Sequence, residues 1–422
     1  MSRFLFLFSV LLLAWRPCFS QTVLSLDDCL RLATGAKSQV DVARQQLAAT
    51  GQGVRQAAAD FFPQARLLNA YNYNSPLQGT QDQFSFVAAN GIREYVSQFT
   101  VAQEFDVSGR LRAELDRAKA ERQAGTVRVR LAERDLRLAV KRAYYEVLRD
   151  QHQLKALQEV LLEAEAFGKR AAALEKGGEV GRLDVARSRV QVAAAEQAVQ
   201  TAALELRRAE HELLSFWTTD MEWRLTLDDL FAKPLPVPED RAGAASATGR
   251  PELGLFDAAR LGFKAEARKA RANLLPQPSV VLQYGIDSLR WTGHDRGYAA
   301  FMNLTVPVFD WGKALAAQKQ ANLQADQVDT QRAIAERGFA RELADARAAL
   351  RTQFGQVSTA EQEVKNAAES LRLAKLRYEA GEGSALEVVD SQSALARAQV
   401  NYFTAIRDYF AARAEMEVAT GR

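Results

Sequence analysis

Glu387 and Asp390 stand three residues apart, just past a glycine-containing turn, G-E-G-S at 381–384. On a helix that spacing puts both acids on one face. Where several copies of a chain bring such a face to a common axis, the acids form stacked rings, an arrangement that favours cations and can hold a constriction. The stretch has a counterpart about 200 residues earlier, where Asp184 follows G-G-E-V-G at 177–181 and takes the place of Glu387. Arg187 stands where Asp390 would, so the two turns differ in charge, and pairing of Asp184 with a basic neighbour is an alternative role for it. A plainer reading is open for Asp184 and Glu387: acids in a first helical turn stabilise the helix against its own dipole.

No other grouping supports chemistry. His152, His211 and His294 lie in unrelated settings, and H-E-L-L-S at 211–215 lacks the second histidine of a zinc-protease helix. Neither a phosphate-cradling glycine loop nor a serine nucleophile elbow is present. An enzyme is therefore not expected, nor a cofactor or a metal.

The elements that position the acids are long. Apart from Pro17, the prolines fall at 63, 76, 234, 236, 238, 251, 276, 278 and 307, which leaves 110–233 and 308–422 free of them. Both tracts are rich in Ala, Leu, Glu, Arg and Gln, strong helix formers, and each is broken only by a short glycine cluster. They read as helical hairpins, with arms at about 110–176 and 183–216 in the first and 313–380 and 386–418 in the second. At 1.5 Å per residue the long arms reach ~100 Å, so they require coiled-coil partners. Val147, Leu154 and Leu161 repeat at seven-residue spacing, with Leu157, Ala164 and Ala171 between them. Alanines at 193–195, 198, 202 and 203 of a returning arm suggest more than one partner helix.

Ahead of each hairpin the texture changes to alternation. Tyr95, Phe99 and Val101 share one parity and Gln98, Thr100 and Glu104 the other; Val280, Leu282, Tyr284 and Ile286 oppose Gln283 and Asp287. Ala300, Met302 and Leu304 likewise oppose Asn303 and Thr305. Such segments, at about 65–75, 95–107, 279–287 and 298–309, suit strands between lipid and a watery lumen, and equally a half-buried hairpin in water. Aligning Phe105 with Phe309 gives opposite apolar parities in the two copies, which a bulge at 107–109 would explain. Four strands cannot close a membrane barrel, for which ~8 is the smallest number. An open sheet edge in lipid leaves backbone groups unpaired, so spanning strands demand several chains. Tyr71, Tyr73, Trp291 and Tyr298 suit an interfacial aromatic girdle or ordinary strand packing.

The whole chain of 422 residues is thus a duplication: a repeat over 21–233, a connector at 234–250 and a second repeat over 251–422, each with a helix, two strands and a hairpin. Residues 1–20 read as a signal peptide, with Arg3, an apolar core at 4–15 and a small-residue site at 18–20. Arg16 and Pro17 disfavour lipoprotein processing at Cys18, and cleavage leaves Cys29 alone, with no intramolecular disulfide. A formal net charge of +3, with acids and bases interleaved along the helices, argues against nucleic-acid binding.

L-S-L-D-D-C-L-R-L-A at 24–33, the P-Q breaks at 63 and 276, T-V-P-V-F-D-W-G at 305–312 and R-Y-E-A-G-E-G-S-A-L-E-V-V-D at 377–390 resemble the TolC family of outer-membrane channel proteins. The likeness covers roughly residues 24–420. It implies a mostly helical fold with a small β part, trimerising into a twelve-stranded outer-membrane barrel continuous with a periplasmic helical barrel. It also implies a periplasmic adaptor and an inner-membrane transporter as partners. By the same resemblance Glu387, Asp390 and, in the first repeat, Asp184 hold gate positions. The tips, Gly178, Glu179, Gly181, Arg182, Leu183, Gly381, Gly383, Ser384 and Leu386, would meet the adaptor, although their glycines also serve simply to reverse the chain. The expected role is a passive exit duct for efflux or type I secretion. The competing reading is a non-pore coiled-coil spacer of the envelope, which has no need of four amphipathic strands. A soluble adaptor is disfavoured by the two hairpins. Cargo is not fixed by these residues, although the modest length favours metal or drug efflux over polypeptide secretion.

Overall fold

The computed structural model describes residues 23–76, 91–238 and 249–421; the expected signal segment, 77–90 of the first strand-to-strand loop and 239–248 of the connector lie outside them. The first repeat runs α1 (Leu26–Gly35), α2 (Gln39–Ala59), β1 (Gln64–Tyr73), β2 (Arg93–Glu104), α3 (Arg110–Gly177) and α4 (Arg182–Ser215). The second runs α5 (Leu253–Ala272), β3 (Gln277–Ser288), β4 (Arg296–Thr305), α6 (Lys313–Glu379) and α7 (Ala385–Ala419). Where one opening helix was expected, the first repeat has two. Ser25 with Asp28, and Ser38 with Asp41, build a capping box at the head of each, and the second box restarts the chain after Gly35.

The four strands form one antiparallel sheet in the order β1-β2-β3-β4. Register places Leu67 opposite Phe99, Phe99 opposite Tyr284, and Tyr284 opposite Tyr298. Partners across a ladder share a face, so Leu67, Tyr71, Phe99, Val101, Leu282, Tyr284, Met302 and Leu304 all lie on one side. The other side carries Gln98, Thr100, Gln283, Asp287 and Asn303, with Gln98 Nε2 donating to Asp287 Oδ2 at 3.0 Å. Among the described residues β1 and β4 each pair on one side only, which leaves both edges of the sheet open. No described helix is long and apolar enough to cross a membrane.

The parity mismatch between the copies disappears when glycine is the landmark. Gly109 and Gly312, both at φ 78, immediately precede α3 and α6. Counting back eight residues from each gives Val101 and Leu304, on the same face. The first copy has one extra residue between its aspartate and glycine, V-S where the second has Trp311, and it lies in irregular chain beyond the end of β2 rather than in the expected bulge. Asp106 accepts the amides of Leu111 and Arg112, and Asp310 those of Gly312 and Ala314, which ends extended structure earlier than expected: β2 stops at Glu104 and β4 at Thr305.

The chain divides into two compact units that cut across the repeats rather than between them. One, within 37–138, 238–352 and 412–422, holds the sheet, α2, α5 and the first parts of α3 and α6. Its helices are laced by ion pairs. Arg134 donates to Glu252 at 2.7 Å, and Arg250 bridges Glu252 and Glu342 while its guanidinium lies 4.1 Å from the Phe339 ring centroid. Burial would raise the Glu252 carboxyl pKa, but hydrogen bonds from Arg250 and Arg134 prevail and hold it below the usual range.

The other unit, within 23–36, 139–237 and 353–411, packs α1 and later parts of α3 and α6 with α4 and most of α7. Cys29, Tyr144, Leu148, Leu213, Leu214, Ile406 and Tyr409 are fully buried in it. Along α3 the seam runs through Val160, Ala164, Phe167 and Ala171, with Leu154, Leu157 and Leu161 half-buried beside it. Ala193, Ala194 and Ala203 of α4 remain exposed in the single chain. The irregular chain after α4 is strapped to this core. Tyr144 donates to the Asp228 carbonyl at 2.6 Å, and His152, stacked on Phe403, sits 3.0 Å from Asp229 Oδ1.

Candidate functional site

Each hairpin tip is built by a glycine. Helix C-termini need a left-handed residue to close the last carbonyls, and Gly178 and Gly381 supply it at φ 79 and 74. The Glu179 amide reaches back to the Leu174 carbonyl at 3.0 Å, and the Glu382 amide to that of Arg377 at 2.9 Å. The return helices are capped differently: Ser384 Oγ accepts the Glu387 amide at 3.3 Å, whereas Gly181 offers α4 no side chain. Leu183 and Leu386 take equivalent exposed positions just beyond the turns, and Glu179, Arg182 and Ser384 are exposed as well. Gly383 is only half-exposed, because the turn folds against the end of α6.

An apolar cluster brings the tips together. Phe167 of α3, Leu371, Ala374 and Tyr378 of α6, and Ala385 and Val388 of α7 are buried against one another, with Leu174 and Val180 alongside. Phe167 and Tyr378 meet edge to face, with ring centroids 5.0 Å apart. Arg170 donates to Glu379 at 2.7 Å, and Lys375 pairs with Glu163, two further ties between α3 and α6. The Tyr378 hydroxyl is buried with no hydrogen-bond partner among the described residues; burial raises its pKa and the nearby Asp184 raises it further.

Of the three acids singled out from the sequence, Glu387 and Asp390 leave the same helix near this cluster, and Asp184 lies at the equivalent turn of the other hairpin. Their surroundings differ. Glu387 is half-exposed and accepts a hydrogen bond from Arg377 Nη1 at 3.0 Å. Asp390 is exposed and has no ion-pair partner among the described residues. The suggested pairing of Asp184 with a basic neighbour is not found: among the described residues it forms no ion pair, and Arg182 turns back toward Glu175 at 3.6 Å. Arg377 was not identified from the sequence. It precedes Glu387 by ten residues, a separation that carries no signal on a helix and becomes contact only through the turn.

At the loop end of the sheet, the Tyr71 and Tyr95 rings lie tilted with centroids 5.0 Å apart, and Tyr95 meets Trp291 edge to face at 6.2 Å. Tyr71, Tyr73, Trp291 and Tyr298 are all exposed.

An amphipathic sheet with two open edges, carried on paired helical hairpins, defines the architecture of TolC-type outer-membrane channels. The chain belongs to the outer membrane efflux protein family, which matches residues 30–218 and 247–422. Membership places it in the outer membrane, in a family of efflux ducts rather than enzymes. It is 26% identical over 311 residues to the pyoverdine export outer membrane protein OpmQ of Pseudomonas putida, a match covering 72% of this chain and 65% of the relative. The chain thus spans just under two thirds of that relative's length. It is 24% identical over 414 residues to the cobalt-zinc-cadmium resistance protein CzcC of Cupriavidus metallidurans, covering 94% and 90% of the two chains. Its fold is similar to the crystal structure of the Campylobacter jejuni CmeC outer membrane channel, with a TM-score of 0.81, 16% identity and coverage of 94% and 85%.

Proposed function

We propose that the protein is the outer-membrane exit duct of a tripartite efflux or type I secretion system, a passive channel opened and energised by a periplasmic adaptor and an inner-membrane transporter. One observation carries this reading: a four-stranded sheet with one continuous apolar face, from Leu67 through Phe99 and Tyr284 to Met302, a mixed face behind it that bears Gln98, Thr100, Gln283 and Asp287 beside Leu68, Val281 and Phe301, and two edges left unpaired among the described residues. Such a sheet is tolerated in lipid only once every edge is paired. Three copies supply twelve strands, above the ~8 that a membrane barrel needs. The helical hairpins then form the periplasmic part, and the aromatic residues at the loop end sit at the membrane interface as a girdle. The repeats at 21–233 and 251–422, joined through 234–250, are the two copies of the building unit.

The tips at 178–183 and 381–386 are the surface for the adaptor, and Glu387, Asp390 and Asp184 are the acids of the periplasmic gate. Support for the gate is their place at the hairpin turns, where copies related by a threefold axis converge. The printed names of the relatives speak of pyoverdine and of cobalt, zinc and cadmium. We carry over only the class, small solutes, as the cargo. The test is purification in mild detergent followed by reconstitution. Trimers that shift mobility on heating and give discrete conductance steps in planar bilayers are expected. A monomer, or fractionation away from the outer membrane, refutes the reading.

A further inference from the structure

We propose that Arg377 neutralises Glu387 within each chain, leaving Asp390 as the acid of the second hairpin that sets ion preference; this rests on the gate reading above. The turn is organised around Arg377. Its carbonyl accepts the amides of Glu382 and Gly383 at 2.9 and 3.0 Å, its Nη2 donates to the Glu382 carbonyl at 3.3 Å, and its Nη1 donates to Glu387 Oε2 at 3.0 Å. Gly383 makes the wrap possible: a Cβ there would stand 3.0 Å from both Arg377 Cβ and the Tyr378 amide nitrogen. The Glu387 amide is held at the same time by Ser384. The guanidinium is therefore fixed by the loop on one side and the carboxylate on the other.

The first hairpin lacks this device. Ten residues before Asp184 stands Leu174, whose side chain packs into the apolar cluster. Three residues after Asp184 comes Arg187, where the second hairpin has Asp390. The acids are thus sorted into one neutralised across its turn, Glu387, and one exposed and unpaired among the described residues, Asp390. An ion passing the tip senses charge within about a Debye length, ~10 Å at 0.1 M salt and ~3 Å at 1 M. A neutral pair attracts cations far less than a lone carboxylate. Arg377 is a positioning residue that tunes selectivity without lining the path.

The test compares the potassium-to-chloride permeability ratio of reconstituted channels in planar bilayers under a KCl gradient near 0.1 M. D390N is expected to lower the ratio by about twofold, and R377Q to raise it by about twofold, as rings of unpaired acids should. E387Q unmasks the Arg377 cation and so lowers the ratio about as far as D390N does, whereas the R377Q/E387Q double variant, which removes both charges of the pair at once, stays near the native ratio. R377K, which keeps the charge, stays near the native ratio. Raising salt to 1 M shrinks every difference. A ratio that falls in the R377Q/E387Q double variant as far as in D390N overturns the inference, as does an R377Q channel with native selectivity. If D390N also leaves the ratio unchanged, the gate reading falls and the inference falls with it. If R377Q fails to assemble, the swapped pair R377E/E387R, which keeps the site neutral, decides the matter: a native ratio is expected, and a ratio shifted as far as that of D390N overturns the inference.

Discussion

Gly285 offers a sharp test of the sheet, because the structure supplies its own control. It lies in β3 opposite Gln98 of β2 and Gly297 of β4. A Cβ on Gly285 would fall 2.0 Å from the Ser97 carbonyl oxygen and 2.8 Å from Gln98 Cα, both main-chain atoms that no rotamer change can move aside. Ordinary contact begins at 3.4 Å, so the β2 and β3 backbones would have to part by more than 1 Å. Weakening one or two ladder bonds costs about 1 kcal/mol each, and the residual backbone strain about 1–3 kcal/mol. Gly285→Ala should therefore destabilise each chain by about 2–5 kcal/mol. Nothing lies within 4 Å of the same position on Gly297, so Gly297→Ala should stay within about 0.5 kcal/mol of the parent. Thermal unfolding of the purified assembly in detergent, read as loss of its heat-sensitive gel mobility, separates the two. If both variants melt together, the β2–β3 pairing is misregistered and the shared apolar face is wrong.

Cys29 is fully buried and its thiol is pushed up from 9.0 to about 12, chiefly by burial, so at pH 8 the folded mature chain should hold about a thousandfold less thiolate than an unfolded one; thiol-reagent labelling that is fast before urea is added contradicts this. Glu252 has its folded pKa lowered beneath 4.5 by Arg250 and Arg134, so its stabilising contribution is full above about pH 4.5 and is lost as pH falls through the lower folded value. The stability difference between the native chain and Glu252→Gln should accordingly shrink on acidification, and a difference that is flat from pH 7 to pH 3 refutes it.

The helical hairpins were legible because two long proline-free tracts rich in good helix formers leave the chain little alternative. The strands were legible from alternation alone, but their alignment was not. Phe105 and Phe309 look like the natural landmarks, yet the joint is set by a glycine that must be left-handed, and one residue of slack before it inverts the apparent faces. The break between α1 and α2 was overlooked although Ser38 and Asp41 spell a capping box. The acids proposed for the gate were readable only as residue types at a turn. Their states were not, since the contact between Arg377 and Glu387 spans ten residues and exists only because Gly383 lets the loop close. Likewise nothing in the sequence near His152 or Tyr144 points to Asp228 and Asp229, which reach them by tertiary packing.

The β2–β3 ladder joins the two repeats edge to edge inside one chain, and in the proposed assembly the outer edges of β1 and β4 would make an equivalent seam with a neighbour. A ring of half-length ancestors would repeat every substitution at all of its tips. Linking the halves covalently lets alternate tips mutate on their own. A leucine at 174 and an arginine at 377 are one outcome of that freedom: in the proposed trimer a sixfold scaffold would carry threefold decoration, with the charge of one class of hairpin adjusted while the other keeps its shape.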